Sequence, residues 1–169
     1  TGAGPIGLLA ALVTKLHGMD VHVLDRMESG TKPDLVRALG ATYHSGSVKA
    51  IGFQPDAIFE CTGVGQVIAD SIRAIGSGGT VCLTGVGHGG VVTADATADI
   101  AASAVLNNNV IVGSVNANKR HWYRAGKILA RADRAWLGRL ITRREKPEHF
   151  KQALARQPDD IKVIIQFSG

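Results

Sequence analysis

The stretch Gly2-Ala3-Gly4-Pro5-Ile6-Gly7 decides the fold that we expect for this chain. Its pattern is G-x-G-x-x-G, and it runs directly into an apolar helical repeat. In such a turn the first glycine permits a tight bend, the second lets a pyrophosphate approach the backbone, and the third lets the helix pack closely on a sheet. The helix N-terminus offers free N–H groups and a positive dipole end to the phosphates. The motif therefore predicts a dinucleotide-binding turn, if the rest of the chain supplies the context.

A carboxylate lies at a suitable distance behind these glycines. The apolar run 21–24 ends at Asp25, which is 18 residues after Gly7. A carboxylate about 20 residues beyond the glycines binds the ribose hydroxyls of NAD. Arg26 follows it, and a basic residue here suits the 2′-phosphate of NADP, which Asp25 would repel. We therefore expect NAD as the cofactor and leave NADP, or the use of both, open.

Short apolar runs alternate with helical patterns over most of the chain. The first helix is expected to end at Gly18 and to bury a face formed by Ile6, Leu9, Ala10 and Val13. Leu8 and Leu12 are expected to widen that face. Further strands are predicted at 21–25, 41–44, 57–61, 80–83 and 110–115, and further helices at 33–39, around 68–75 and at 99–106. This alternation predicts an α/β fold with a Rossmann-like, doubly wound parallel sheet. Because only Thr1 precedes the glycine motif, we expect the first strand to be truncated.

The pattern changes after Asn116, where three helices and a strand are predicted. Their apolar positions are Trp122, Ala125 and Leu129, then Trp136 to Ile141, then Phe150, Ala153 and Leu154, with a final strand at 161–167. A Rossmann sheet does not require so many elements at its end. We therefore predict that residues 1–116 form the dinucleotide-binding domain, and that residues 117–169 form a C-terminal extension that packs on a catalytic domain outside this chain.

Composition excludes several other classes of protein. The chain has 169 residues, 45% of them hydrophobic, and no apolar run of 18 residues, so we expect no membrane span. Residues 119–146 contain ten Lys/Arg and two acids, which we interpret as the solvated faces of amphipathic helices and not as a nucleic-acid site. Cys61 and Cys82 lie in apolar runs and are expected to be buried and reduced, as in a cytoplasmic protein. No metal-ligand spacing is present, and none of the histidines is assigned a role.

The expected site lies at one rim of the sheet. In open sheets of this type, ligands bind beyond the carboxyl ends of the strands. The residues that the predicted strands place on this rim, beside the opening glycines, are Asp25, Thr62, Thr84, Val86 and Asn116.

Three motifs make the chain similar to the medium-chain dehydrogenase/reductase family over nearly its whole length. They are Gly-Ala-Gly-Pro-Ile-Gly-Leu-Leu-Ala-Ala at 2–11, Glu60-Cys61-Thr62-Gly63, and the ending Asp160-Ile161-Lys162-Val163. Within that family the chain most resembles the glucose dehydrogenase branch. Gly113-Ser114-Val115-Asn116-Ala117 and His121-Trp122-Tyr123 carry this closer resemblance.

The resemblance implies roles for individual residues in cofactor binding. Besides the glycines Gly2, Gly4 and Gly7, the implied contacts are Pro5 and Ile6 for the pyrophosphate, Asp25 and Arg26 for the adenosine ribose, Thr62 for the adenine side, Thr84 and Val86 for the nicotinamide ribose, and Val115 and Asn116 for the nicotinamide. Asn116 is also implied as a contact of a sugar substrate.

The resemblance further implies an enzyme that transfers hydride between a sugar or alcohol and NAD(P). Its zinc would lie in an N-terminal domain outside this chain, where it would polarise the alcohol oxygen. The chain itself is then expected to hold no metal or catalytic residue and to be inactive alone. A non-catalytic redox-sensing module and a zinc-free quinone or enone reductase remain alternatives. We also expect a homo-oligomer, formed through an exposed edge strand at Val110–Val115.

Overall fold

Helices and strands alternate through the part of the chain that the structure describes. The structure is a computed structural model and describes residues 1–87 and 94–168. The strands are β1 (His22–Asp25), β2 (Thr42–Ser45), β3 (Ala57–Glu60), β4 (Thr80–Leu83), β5 (Val110–Gly113), β6 (Ile141–Glu145) and β7 (Lys162–Ile165). The α-helices are α1 (Pro5–Leu16), α2 (Thr31–Ala38), α3 (Gly65–Ala74), α4 (Ala94–Leu106), α5 (Lys119–Arg131), α6 (Arg134–Arg139) and α7 (Phe150–Leu154). Short 3-10 turns lie at Val48–Ala50 and Pro147–His149.

All strand pairs in the described residues are parallel, as predicted. The strands form three ladders, β1–β2, β3–β4–β5 and β6–β7. The first two ladders are joined through the start of the chain. The Gly2 N–H donates to the Leu24 carbonyl at 2.7 Å, and the Cys61 N–H donates to the Thr1 carbonyl at 3.0 Å. Thr1 and Gly2 therefore lie between β1 and β3, at the position of the predicted truncated strand.

Two hydrophobic clusters stabilise this arrangement. The first lies around β1 and β2 and includes Leu8 of α1 and Leu35 and Val36 of α2, all fully buried. The second lies between α3 and the β3–β4 pair, where Ile72 packs with the fully buried Val81. Each such side chain contributes about 1.5–3 kcal/mol by leaving water.

The buried face of α1 differs in part from the predicted one, because Leu8 and Leu12 are buried as predicted but Ile6 is not. Ile6 is 57% exposed, and the buried residues are Leu8, Ala11 and Leu12. The reason lies at Gly7, where a Cβ atom would lie 1.8 Å from the Gly2 carbonyl oxygen. This close approach turns the row formed by residues 7, 8, 11 and 12 toward the protein and turns Ile6 outward.

The predicted helix from Trp136 to Ile141 is too long. Helix α6 ends at Arg139, and Ile141 begins β6, which pairs in parallel with β7. A short apolar run has no periodicity that separates helix from strand, so the boundary depends on the pairing partner. The ladder is held by Arg143, whose guanidinium donates to Asp160 at 2.8 Å and to Glu145 at 3.1 Å. The bonds from Arg143 keep the pKa of Asp160 below its usual value.

Apolar residues predicted to point inward in the C-terminal helices are exposed. No residue of α5 is buried, and Trp122 on this helix is 72% exposed. In α7, Phe150 and Leu154 are exposed and Ala153 is half-buried. Helix α7 lies against β6 and β7, but Trp122, Phe150 and Leu154 keep much of their apolar surface open to solvent.

The C-terminal segment shares the first hydrophobic cluster with the start of the chain. Trp136, Leu140 and Ile161 pack with Leu8 and Leu35. The indole N–H of Trp136 donates to the Leu35 carbonyl at 2.9 Å. Part of the predicted second region is thus built into the core of the first, and the domain boundary after residue 116 stays a prediction. None of the helices in the described ranges is long and apolar enough to cross a bilayer.

Candidate dinucleotide-binding site

The three glycines of the opening turn have different surroundings. Gly2 has a positive φ of 86°, and a Cβ atom there would lie 2.9 Å from the Thr62 methyl group. A Cβ at Gly7 would collide with the Gly2 carbonyl. At Gly4, by contrast, a Cβ would meet no atom within 4 Å. The turn therefore packs against the protein at Gly2 and Gly7, where there is no room for a side chain. At Gly4 it leaves space that a ligand can occupy.

The N-terminus of α1 is suited to an anion. Its N-cap is Gly4, no side chain caps it, and its first turn contains no acidic residue. Pro5 occupies the first position, where the missing N–H costs nothing. The backbone N–H groups of Ile6 and Gly7 can then bind phosphate oxygens, and the helix dipole favours that charge. A pyrophosphate thus fits the residues that are present.

Asp25 ends β1 and holds the glycine turn. The Ala3 N–H donates to its Oδ2 atom at 2.6 Å, and the Met27 N–H donates to Oδ1 at 3.3 Å. Each carboxylate oxygen has two lone pairs, so the bond to Ala3 leaves capacity for a ribose hydroxyl. The structure therefore brings Asp25 to the turn, and its predicted contact with the ribose stays a prediction.

Arg26 and Tyr43 lie close to Asp25, and a further cationic side chain, Lys32, lies in the helix that follows. Arg26 is exposed in the loop after β1. Lys32, in the first turn of α2, is only 7% exposed and forms no ion pair with any acid in the described ranges. The Tyr43 hydroxyl donates to the Met27 carbonyl. Burial, and secondly the negative charge of Asp25, raise the pKa of Tyr43 to about 12.

Glu60 lies at the end of β3 and is fully buried. Its Oε1 atom accepts the Thr62 N–H at 2.8 Å, the Thr62 hydroxyl in a short bond, and the Thr1 hydroxyl at 3.3 Å. Its Oε2 atom accepts the Gly63 N–H at 3.1 Å. The carboxylate therefore fixes the turn that follows β3.

The loops after β3 and β4 are packed backbone to backbone. Gly63 has a φ of 68°, and a Cβ there would lie 2.4 Å from the Gly87 nitrogen. A Cβ at Gly85 would lie 2.2 Å from the Gly63 nitrogen. The Thr84 hydroxyl donates to the Glu60 carbonyl at 2.9 Å, and Val86 is largely exposed. The structure thus brings Thr62, Thr84 and the opening glycines to one rim, as predicted.

Val115 and Asn116 are less closely tied to this rim. Both follow β5, whose Gly113 pairs with Leu83, and both are exposed. Among the described residues, no hydrogen bond joins Asn116 to the other predicted contacts. The sequence also predicts a glycine-rich loop at residues 85–90, after β4. The structure describes this segment only to Gly87, and the rest of it lies outside the described residues.

The two cysteines are free and half-buried, where we had expected full burial. The Thr84 hydroxyl lies 3.2 Å from the Cys61 sulfur. Burial raises the pKa of the Cys61 thiol, so it stays protonated at neutral pH. The described residues contain no group of three or more His, Cys, Asp or Glu that could hold a metal ion.

Glu60 and Lys32 were not assigned a role from the sequence. The sequence did contain a signal for the role of Glu60, because an acid that ends an apolar strand just before Thr-Gly is placed to accept the N–H groups of the turn. Lys32 had none, since its burial depends on contacts made by the folded chain.

Comparison with known proteins agrees with this geometry. The family model described as "Glucose dehydrogenase C-terminus" matches residues 1–167. The chain is 36% identical to glucose 1-dehydrogenase 1 of Caldivirga maquilingensis and 37% identical to glucose 1-dehydrogenase 2 of Vulcanisaeta moutnovskia. These alignments cover 99% and 98% of this chain and 49% and 48% of the relatives.

A solved structure gives the same result. Haloferax mediterranei glucose dehydrogenase in complex with NADP, Zn and gluconolactone superposes with a TM-score of 0.85 at 27% identity. The match covers 99% of this chain and 50% of that protein. The chain thus spans about half the length of the relatives that it matches. Since the family model covers almost every residue of it, this chain belongs to the family described as the glucose dehydrogenase C-terminus.

Proposed function

We propose that this chain is the cofactor-binding part of a dehydrogenase of the glucose 1-dehydrogenase type, which transfers hydride between a sugar or alcohol and NAD(P). The observation that carries the proposal is the opening turn, which is closed at Gly2 and Gly7 and open at Gly4, directly before an uncapped helix N-terminus. This geometry suits a pyrophosphate. When bound, the nicotinamide supplies the hydride acceptor.

The residues of this chain would bind and orient the cofactor. The N–H groups at the start of α1 would hold the pyrophosphate, with Pro5 and Ile6 against it. Asp25 would accept a ribose hydroxyl on the adenosine side. Val115 and Asn116 would lie at the nicotinamide, and Asn116 would also contact the sugar. These roles follow from position on the rim and are proposals.

Both NAD and NADP are proposed as cofactors. Asp25 alone favours NAD, but its carboxylate is already engaged by Ala3 and Met27, which reduces its repulsion of a phosphate. Arg26 follows Asp25 directly and is exposed. Its positive charge supports binding of a 2′-phosphate.

The first test is a fluorescence titration of the chain with NADPH and NADH. Binding of both is expected, with saturation at one site per chain. The Arg26→Gln variant should weaken NADPH binding roughly 10-fold, because a charge-assisted bond contributes about 1.5–3 kcal/mol, and should leave NADH binding nearly unchanged. Equal losses for both cofactors would contradict the role of Arg26. Failure of the wild-type chain to bind either would contradict the function.

The zinc and the rest of the active site are proposed to lie in a polypeptide segment outside this chain. The Haloferax relative binds zinc, and the described residues here offer no cluster that could. The exposed apolar faces of α5 and α7 support packing of residues 117–169 on that segment. The free cysteines support a reducing compartment such as the cytoplasm.

The reading frame upstream of Thr1 tests this directly. Cys, His and Glu residues with zinc-ligand spacing would support the dehydrogenase, and an upstream domain without them would favour a zinc-free reductase. In the whole enzyme, a chelator should abolish glucose oxidation and leave NADPH binding intact. Loss of NADPH binding together with activity would contradict the separation of the two sites.

A further inference from the structure

We propose that Glu60 is a positioning residue for the cofactor, acting through the loops that follow β3 and β4. The inference rests on the proposed function. It starts from an unusual observation, since a fully buried carboxylate is costly unless its charge is satisfied. In the described ranges, no lysine or arginine forms an ion pair with Glu60. Its charge is satisfied by N–H and O–H groups of the rim, and the α-ammonium group of Thr1 is near enough to interact with it electrostatically.

The bonds to Glu60 fix the hydroxyl protons of both rim threonines. The Thr62 hydroxyl donates to the Glu60 carboxylate and accepts the Val64 N–H at 3.0 Å. The Thr84 hydroxyl donates to the Glu60 carbonyl. A hydroxyl has only one proton to donate. Toward a ligand, Thr62 and Thr84 therefore present only acceptor lone pairs, which suit the O–H groups of a ribose and not its phosphates.

The position of Glu60 is also transmitted to the glycine turn and to the loop after β4. The Thr62 methyl group lies against Gly2, and Gly63 lies against Gly85 and Gly87 too closely for a Cβ atom at any of these glycines. Thr62 and Gly63 are the residues whose N–H groups Glu60 accepts. A shift of the turn at Thr62 and Gly63 therefore displaces the opening glycine turn and the loop after β4 together.

The test is Glu60→Gln, measured by NADPH titration and by urea unfolding. The amide keeps the shape but has one acceptor oxygen, and its NH2 group faces N–H donors. We expect the Kd for NADPH to rise 10-fold or more. The matched control is Asp70→Asn, because Asp70 is also buried, at 6% exposure, but bonds Gln66 of α3 and Lys49 of the first 3-10 turn, neither of which is a predicted cofactor contact. This control should lower stability and leave the Kd within about twofold.

Each outcome decides the proposal. A Glu60→Gln protein that is less stable but binds NADPH as tightly as wild type would show a merely structural role and would overturn it. If Glu60→Gln does not fold, Glu60→Asp replaces it, since aspartate keeps the charge but is one methylene too short to hold the N–H groups of Thr62 and Gly63 in the same positions. Weaker binding at unchanged stability then supports the proposal, and unchanged binding overturns it. A wild-type chain that binds no cofactor would instead overturn the proposed function.

Discussion

Gly4 and Gly7 lie in one turn, but a side chain should have opposite effects at the two positions. Gly4 has φ −81° and ψ −176°, which any residue can adopt, and a Cβ there contacts nothing. Gly4→Ala should therefore keep or slightly raise stability, by up to about 1 kcal/mol, and weaken NADPH binding at least 10-fold by blocking the pyrophosphate. Gly7→Ala should lower the free energy of unfolding by about 1–3 kcal/mol or more through overpacking. Urea unfolding and NADPH titration of both variants measure this contrast.

Tyr43 should make stability depend on pH in the alkaline range. Its pKa is about 12 in the folded chain and about 10 when unfolded, so folding favours the protonated hydroxyl. The resulting stabilisation is complete below pH 10 and is lost as the pH rises from 10 through 12. In Tyr43→Phe the free energy of unfolding should fall less over this window than in wild type. Equal pH dependence of the two proteins would contradict the assignment, since other tyrosines and lysines titrate in both.

Single residues of the site were predictable only where the motif itself requires them. The glycines and Asp25 follow from spacing, because the turn geometry needs those residue types at those positions. The bond from Thr62 to Glu60 is local and could have been predicted, but the bond from the Thr84 hydroxyl to the Glu60 carbonyl could not, because it forms only when β3 and β4 pair. Lys32 is similar, since its burial is a property of the packed helix α2 and not of the local sequence.

Helix α6 fastens the C-terminal segment to α2 through one side chain. Trp136 is 4% exposed, and its indole N–H donates to the Leu35 carbonyl. Trp136→Phe should lower the free energy of unfolding by about 2 kcal/mol, from a lost buried hydrogen bond and a smaller ring. Trp122→Phe on the exposed face of α5 is the control and should change it by less than about 0.5 kcal/mol. Similar losses in the two variants would show that α6 does not anchor the segment.

Most helices and strands were predictable from their hydrophobic periodicity and from the glycines and polar residues that end each run. The errors occur where tertiary contacts determine a boundary or a buried face. The strands up to Gly113 were predicted to within two residues, because each is a short apolar run closed by a glycine or a polar residue. The strand at Ile141 was missed because β7, its partner, begins about 20 residues later. In α1, Ile6 was predicted to be buried and is exposed, because the approach of Gly7 to Gly2 outweighs the apolar pattern around Ile6.

At the scale of the whole molecule, the outer edge of β5 suits pairing with a second copy. Val110 and Ser114 donate their N–H groups to β4, so the N–H of Ile111 points to the other edge of β5, and no strand in the described ranges pairs there. We expect dimers that Ile111→Pro converts to monomers in sedimentation, because proline removes a donor that β4 does not use. Leu106→Ser, which removes another exposed apolar side chain, should leave the dimer intact. A wild-type chain that stays monomeric at high concentration would exclude this edge as an interface.

The position of Thr1 and Gly2 between β1 and β3 also has a consequence for the order of folding. The contact between Thr1 and Glu60 joins residues 59 apart, and the bond between Ala3 and Asp25 joins residues 22 apart. Closing long loops costs chain entropy, so contacts of high sequence separation form late. The cofactor site is complete only when the two ladders have met across this segment. During refolding, the fluorescence change caused by NADPH binding should therefore recover later than the helical circular dichroism signal. The rate at which NADPH binding recovers then reports the rate of the last folding step.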